Sequence, residues 1–130
     1  MEIFDVSRDC LPHIKELRVC TSSDLVDINI SRQICHWPNL HRVDCQHITL
    51  DMDAIMHLST APNLKQLWFT ADMNAAQDIL HLGSKLVFSS LADLYVTSKS
   101  LDTIALLLSH VQLPAIEKLT VVTFSNYVSR

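Results

Sequence analysis

Two groups of residues in this chain of 130 could carry chemistry. Cys35, His36, His41, Cys45 and His47 fall within thirteen residues. Zinc takes thiolate and imidazole ligands four at a time, usually offered as close pairs in a loop. Here Cys45 is predicted to point inward from a strand, His36 ends a helix and His47 lies just beyond the strand. They could converge only by leaving their elements, so no metal site is expected. A thiol–imidazole nucleophile such as Cys20 with His47 is the second possibility, and Cys35 is a further thiol for a small Cys-dependent cytosolic hydrolase. Covalent catalysis also needs a group to orient the base and an oxyanion site. No residue suggests the orienting group, and a single glycine leaves no glycine-rich loop. Asp51 and Asp53 flank Met52 at a predicted helix start, where carboxylates suit the helix dipole and cap rather than act as an acid–base pair. No phosphate loop or dinucleotide motif is present. The expectation is a protein that is not an enzyme and takes no cofactor.

Composition narrows the rest. The length suits one domain spanning 1–130. A hydrophobic content of 48% is enough for a real core, and a net charge of −4 argues against nucleic acid as a partner. No apolar run is long enough to span a membrane. The start, Met1-Glu2-Ile3-Phe4-Asp5, is acidic where a signal peptide would be basic. The four cysteines, Cys10, Cys20, Cys35 and Cys45, form no CxxC pair and read as reduced, mostly buried thiols. Together these point to the cytoplasm or nucleus.

The elements that must position any site come from a repeat. Leu64, Leu67 and Phe69 follow Pro62, and the same apolar spacing returns as Ile14, Leu17, Val19; Leu40, Val43, Cys45; Leu91, Leu94, Val96; and Ile116, Leu119, Val121. Successive first anchors lie 26, 24, 27 and 25 residues apart. Pro12, Pro38, Pro62 and Pro114 stand two residues before their anchors, and Ser89 takes that place before Leu91. Proline ends a helix and biases the residue before it to extended geometry. Each unit, starting near 14, 40, 64, 91 and 116, reads as a short strand and then a helix.

The strands are predicted over Ile14–Cys20, Leu40–Cys45, Leu64–Phe69, Leu91–Val96 and Ile116–Val121. Helices carry Val26, Ile30, Ile34; Met52, Ile55, Leu58; Ala75, Ala76, Ile79, Leu80, Leu82; and Leu101, Ile104, Ala105, Leu108, Val111, each set spaced for one helical face. Thr21-Ser22-Ser23-Asp24 offers cap candidates, and Gly83 sits where a helix would end. Residues 1–12 form a flank over the first unit, and Phe124–Arg130 a polar tail. A strand–helix unit cannot bury its apolar side alone, whereas stacked parallel units bury both layers. A conventional βαβ layout competes, but the near-constant period favours stacking.

The pattern Pro-x-h-x-x-h-x-h, with Leu40-x-x-Val43-x-Cys45-x-x-Ile48 and Pro62-Asn63-Leu64-x-x-Leu67-x-Phe69, resembles leucine-rich repeats over about residues 12–122. It is most similar to the repeat region of fungal F-box leucine-rich-repeat proteins. The resemblance implies an α/β solenoid, a right-handed β-α horseshoe fragment of about five parallel strands. It also implies a substrate-recognition role in an F-box type ubiquitin-ligase subunit. Two departures stand out. Ile48 occupies the place usually held by Asn or Cys, and the twelve residues before the first unit cannot hold the F-box that docks on the ubiquitin-ligase adaptor. A structural repeat fragment without a ligase role is the alternative.

Between the inward anchors, alternation along each strand turns the other residues to solvent. These are Glu16, Arg18, Cys20; Arg42, Asp44, Gln46; Gln66, Trp68, Thr70; Asp93, Tyr95, Thr97; and Lys118, Thr120, Val122. Aromatic and arginine side chains anchor most binding hot spots. Arg18, Arg42, Asp44, Gln66, Trp68, Tyr95 and Lys118 are therefore the expected contacts for another protein on this face. Five strands about 4.8 Å apart span roughly 19 Å, so strands of roughly 15 Å give a face on the order of 300 Å². A stable interface takes about 800 Å² from each partner, so neighbouring loops or further repeats must contribute.

Overall fold

The computed structural model describes residues 14–19 and 24–124, with backbone alone for 24–26. The N-terminal flank, Cys10, Cys20, the caps Thr21–Ser23, the Val26 side chain and the tail beyond Phe124 lie outside the described residues. One backbone link holds successive units together, and it occurs four times. The Lys15 carbonyl accepts from the N–H groups of His41 and Arg42 at 2.6 and 3.1 Å. The His41 carbonyl does the same for Lys65 and Gln66 (2.8 and 3.2 Å), Lys65 for Ala92 and Asp93 (2.9 and 3.0 Å), and Ala92 for Glu117 and Lys118 (2.8 and 2.9 Å). The second residue of each unit thus sets the register of the next.

These links lead into β1 (Glu16–Arg18), β2 (Arg42–Thr49), β3 (Gln66–Thr70), β5 (Asp93–Ser98) and β7 (Lys118–Thr123), which form one parallel sheet in chain order. Between them run α1 (Asp24–Ile34), α2 (Met52–Ser59), α3 (Met73–Leu80) and α4 (Leu101–Ser109), each packed on the next. A second, two-stranded parallel ladder joins β4 (Leu86–Val87) to β6 (Val111–Gln112). Among the described residues no helix is long and apolar enough to cross a membrane.

The strands begin two residues later than the sequence suggests. Leu40, Leu64 and Leu91 are buried but lie between the turn and the strand, and the ladder starts only after the carbonyl link has fixed the chain. β2 runs on through Thr49 because it bulges: from Asp44 to Thr49 it advances five residues while β3 advances two, Trp68 to Thr70. Such a bulge bends one strand locally. Leu86 and Val87, just ahead of the fourth unit, form β4.

Local signals explain where the helices start and stop. The Asp51 carboxylate accepts from the Ala54 N–H, and that of Asp72 from the Ala75 N–H, both at 2.9 Å. The Ser100 hydroxyl accepts from the N–H groups of Asp102 and Thr103. Each satisfies donors that the first helical turn leaves open. After α3, Gly83 takes φ +79°, a left-handed conformation that glycine adopts at little cost.

The core lies between sheet and helices. Val43, Cys45, Ile48, Leu67 and Val96 from the strands meet Ile30, Ile34, Ile55, Leu58, Ile79 and Ile104 from the helices. Full burial of such a side chain is worth about 1.5–3 kcal/mol. Ile48 itself is fully buried.

Several inward marks are not covered. In α3, Ala75, Ala76 and Ile79 are buried, but Leu80 and Leu82 are exposed, the latter lying past the helix end. In α4 the buried face is Thr103, Ile104 and Leu107 rather than the predicted stripe; Leu101 and Ala105 are exposed, and Val111 belongs to β6. At β7, Leu119 and Val121 are 47% and 38% exposed where their counterparts in earlier strands are buried. Among the described residues no helix follows β7 to lie beneath it.

Candidate interaction surface

The sheet register brings the predicted contacts into two rows. Arg18, Asp44, Trp68, Tyr95 and Thr120 are successive neighbours in one, and Glu16, Arg42, Gln66, Asp93 and Lys118 in the other. All seven predicted residues therefore share one face. Arg18, Arg42 and Lys118 are exposed; Asp44, Gln66, Trp68 and Tyr95 are half-buried.

Trp68 and Tyr95 form the centre of the first row. Their ring centroids lie 5.4 Å apart with planes tilted by 35°, within the range favoured by aromatic pairs. The Trp68 Nε1–H is buried and has no acceptor among the described residues. Arg18 Nε lies 3.7 Å from Asp44 Oδ2, but the arginine side chain is 70% exposed, so solvent screens the pair and it is worth at most about 1 kcal/mol. In the second row, Arg42 Nη2 donates to Gln66 Oε1 at 3.1 Å. Arg42 thereby bridges β2 and β3.

Thr70 and Thr97 depart from the expectation of exposure: both are buried. The Thr70 hydroxyl donates to the Gln46 carbonyl at 2.6 Å and sits 3.2 Å from the Thr97 hydroxyl. The β2 bulge presents that carbonyl, so these threonines finish the sheet where β2 departs from regular pairing. The recurrence of threonine at equivalent places in two units was the available sequence signal.

Just beyond this end of the sheet lies a cavity of about 420 Å³ whose lining includes Thr70, Ser98, Ser100, Thr103, Lys99 and Phe124. A larger hollow of about 510 Å³ lies away from the aromatic pair, between α1, the start of α2 and α3, and is lined in part by Asp27, Asp51, Asp72 and Asp78. Asp51 and Asp72 are engaged in helix caps there.

The cysteine and histidine residues do not come together. Cys45 is buried in the core, whereas His36 and His47 are exposed and His41 is half-buried. Among the described residues no group of three or more His, Cys, Asp or Glu is placed to hold a metal. Cys35 departs from the expectation of buried thiols: it is exposed, with Sγ beside the Ser31 and Asp53 carbonyls at 3.6 and 3.8 Å. Burial first, and then the Asp51 and Asp53 carboxylates, push its pKa above the ordinary thiol value. That is the opposite of the shift a nucleophilic cysteine needs.

No family model, curated protein or solved structure matches the chain.

Proposed function

We propose that this chain is a leucine-rich-repeat solenoid that binds another protein on its strand face. The chain-ordered parallel sheet, the fourfold carbonyl link and the second ladder β4–β6 support the repeat reading. The observation that carries the binding reading is the Trp68–Tyr95 pair, half-buried on the solvent side of the sheet and bordered by Arg18, Arg42 and Lys118. Stiff aromatic surface ringed by arginine and polar groups is the composition of interface hot spots. The resemblance to F-box repeats makes a ubiquitin-ligase substrate the leading class of partner, and the cytoplasm or nucleus the compartment where they meet. The contact to the ligase adaptor would need an F-box elsewhere.

The test uses capture from a lysate of the host cell by the wild-type chain and by Trp68→Ala/Tyr95→Ala, followed by titration of the protein retained. The double substitution should weaken that binding by about thirtyfold, the equivalent of about 2 kcal/mol, while circular dichroism stays unchanged. Equal affinity with an unchanged spectrum would remove the proposal.

A further inference from the structure

The cavity of about 420 Å³ lies beyond the carboxyl ends of β2, β3 and β5. Open α/β sheets hold small ligands at that end of their strands, in pockets of about 300–1,000 Å³. Two neighbouring turns line it, residues 70–73 between β3 and α3 and residues 98–100 between β5 and α4. They bring one charge of each sign to its wall, Asp72 on the first turn and Lys99 on the second.

The second turn offers hydrogen-bond donors. The Ser98 hydroxyl accepts from the Ser100 N–H at 3.5 Å, and the Ser100 hydroxyl accepts from the N–H groups of Asp102 and Thr103 at 3.1 and 3.4 Å. A hydroxyl that accepts in this way keeps its own hydrogen to donate. Ser98 is only 2% exposed, so bulk solvent is a poor acceptor for that hydrogen. Lys99 sets an ammonium between the two serines, and the three groups together suit a carboxylate. On the first turn, Asp72 uses Oδ1 to cap α3, accepting from the Ala75 N–H at 2.9 Å, and leaves Oδ2 for a cationic donor. Ala71 and Met73 flank Asp72 with apolar surface. Phe124 adds a ring, its N–H donating to the Ser98 carbonyl at 3.0 Å.

We infer that this cavity binds a free α-amino acid with an apolar side chain. The carboxylate lies against residues 98–100, the ammonium against Asp72, and the side chain against Ala71, Met73 and Phe124. The pair of charges decides the class. A simple anion attracted by Lys99 meets the Asp72 carboxylate, and a simple cation attracted by Asp72 meets the Lys99 ammonium. A zwitterion matches both. None of the seven strand-face contacts lines this cavity, so its ligand is independent of any protein bound on that face.

The experiment is a titration of the isotope-labelled full chain with L-phenylalanine, followed through the amide chemical shifts. Saturable shifts should concentrate at residues 70–73 and 98–103, with a Kd on the order of a millimolar or tighter for a ligand of this size. Hydrocinnamate lacks the ammonium and phenethylamine lacks the carboxylate, and each should bind about tenfold more weakly, the scale of one charge-assisted hydrogen bond. Lys99 is exposed, so Lys99→Met spares the fold; it should weaken L-phenylalanine by about tenfold without weakening phenethylamine. Asp72→Asn keeps an oxygen to cap α3; it should weaken L-phenylalanine by about tenfold without weakening hydrocinnamate. No saturable shift, shifts centred away from the two turns, an analogue that binds as tightly as the amino acid, or charge variants that bind it as the wild type does would each overturn the inference.

Discussion

Trp68 on β3 and Tyr95 on β5 stand directly opposite one another in the sheet register, with ring centroids 5.4 Å apart. Aromatic pairs at this separation contribute about 0.5–1.5 kcal/mol beyond their buried area. A double-mutant cycle with Trp68→Ala and Tyr95→Ala, followed by urea denaturation, should give a coupling energy in that range. Trp68→Phe keeps a ring and removes an indole N–H that has no acceptor among the described residues. An unsatisfied buried donor costs about 1–3 kcal/mol, so Trp68→Phe should lie within about 1 kcal/mol of wild type despite its smaller ring.

Burial decides which inward marks matter. Leu67 is fully buried in the central strand, whereas Leu119 is 47% exposed at the edge. Leu67→Ala should cost about 2–5 kcal/mol through lost transfer energy and the cavity left behind. Leu119→Ala should cost less than about 1 kcal/mol, as exposed substitutions usually do. Denaturation midpoints of the two variants check the contrast.

Thr70→Val isolates the hydroxyl ladder at the end of the sheet. Valine keeps the shape but cannot donate to the Gln46 carbonyl, which Thr70 reaches at 2.6 Å. The loss should be about 1–2 kcal/mol, seen as a lower urea midpoint with an unchanged slope.

Although Cys35 is exposed, it should react more slowly than a free thiol with iodoacetamide at neutral pH, because partial desolvation of its sulfur and then Asp51 and Asp53 raise its pKa. Asp53→Asn removes one of those charges and should speed labelling of the Cys35 peptide, read by mass spectrometry. The sign for stability follows from the raised folded pKa. The contribution is complete below the ordinary thiol range and is lost as pH rises through the folded value. Labelling of Cys35 faster than that of a free thiol would contradict this environment.

Much of this architecture is legible in the chain because its periodicity is local. Pro62 and the anchors Leu64, Leu67 and Phe69 mark a unit by themselves, and the anchors of the first four units are buried or half-buried as that spacing implies. The two rows of the strand face follow from alternation alone. Three features did not follow. The β2 bulge depends on how Gln46 and Thr70 meet across strands, a contact between residues 24 apart in sequence. The rotation of the α4 face depends on its packing against α3, so Leu107 is buried while Leu101 is not. The exposure of Leu119 and Val121 depends on what lies beneath a strand, and an apolar mark carries no record of whether anything does.

The most direct test of the binding face is a photo-crosslink made in the cells that produce the protein. A benzoylphenylalanine replaces Gln66, two residues before Trp68 on the same face, or Gln77 on the exposed side of α3 as a control. Crosslinks to a different protein should form from position 66, be absent from position 77, and vanish when Trp68→Ala and Tyr95→Ala are added. No product from position 66, the same products from both positions, or products that survive the double substitution would contradict the account.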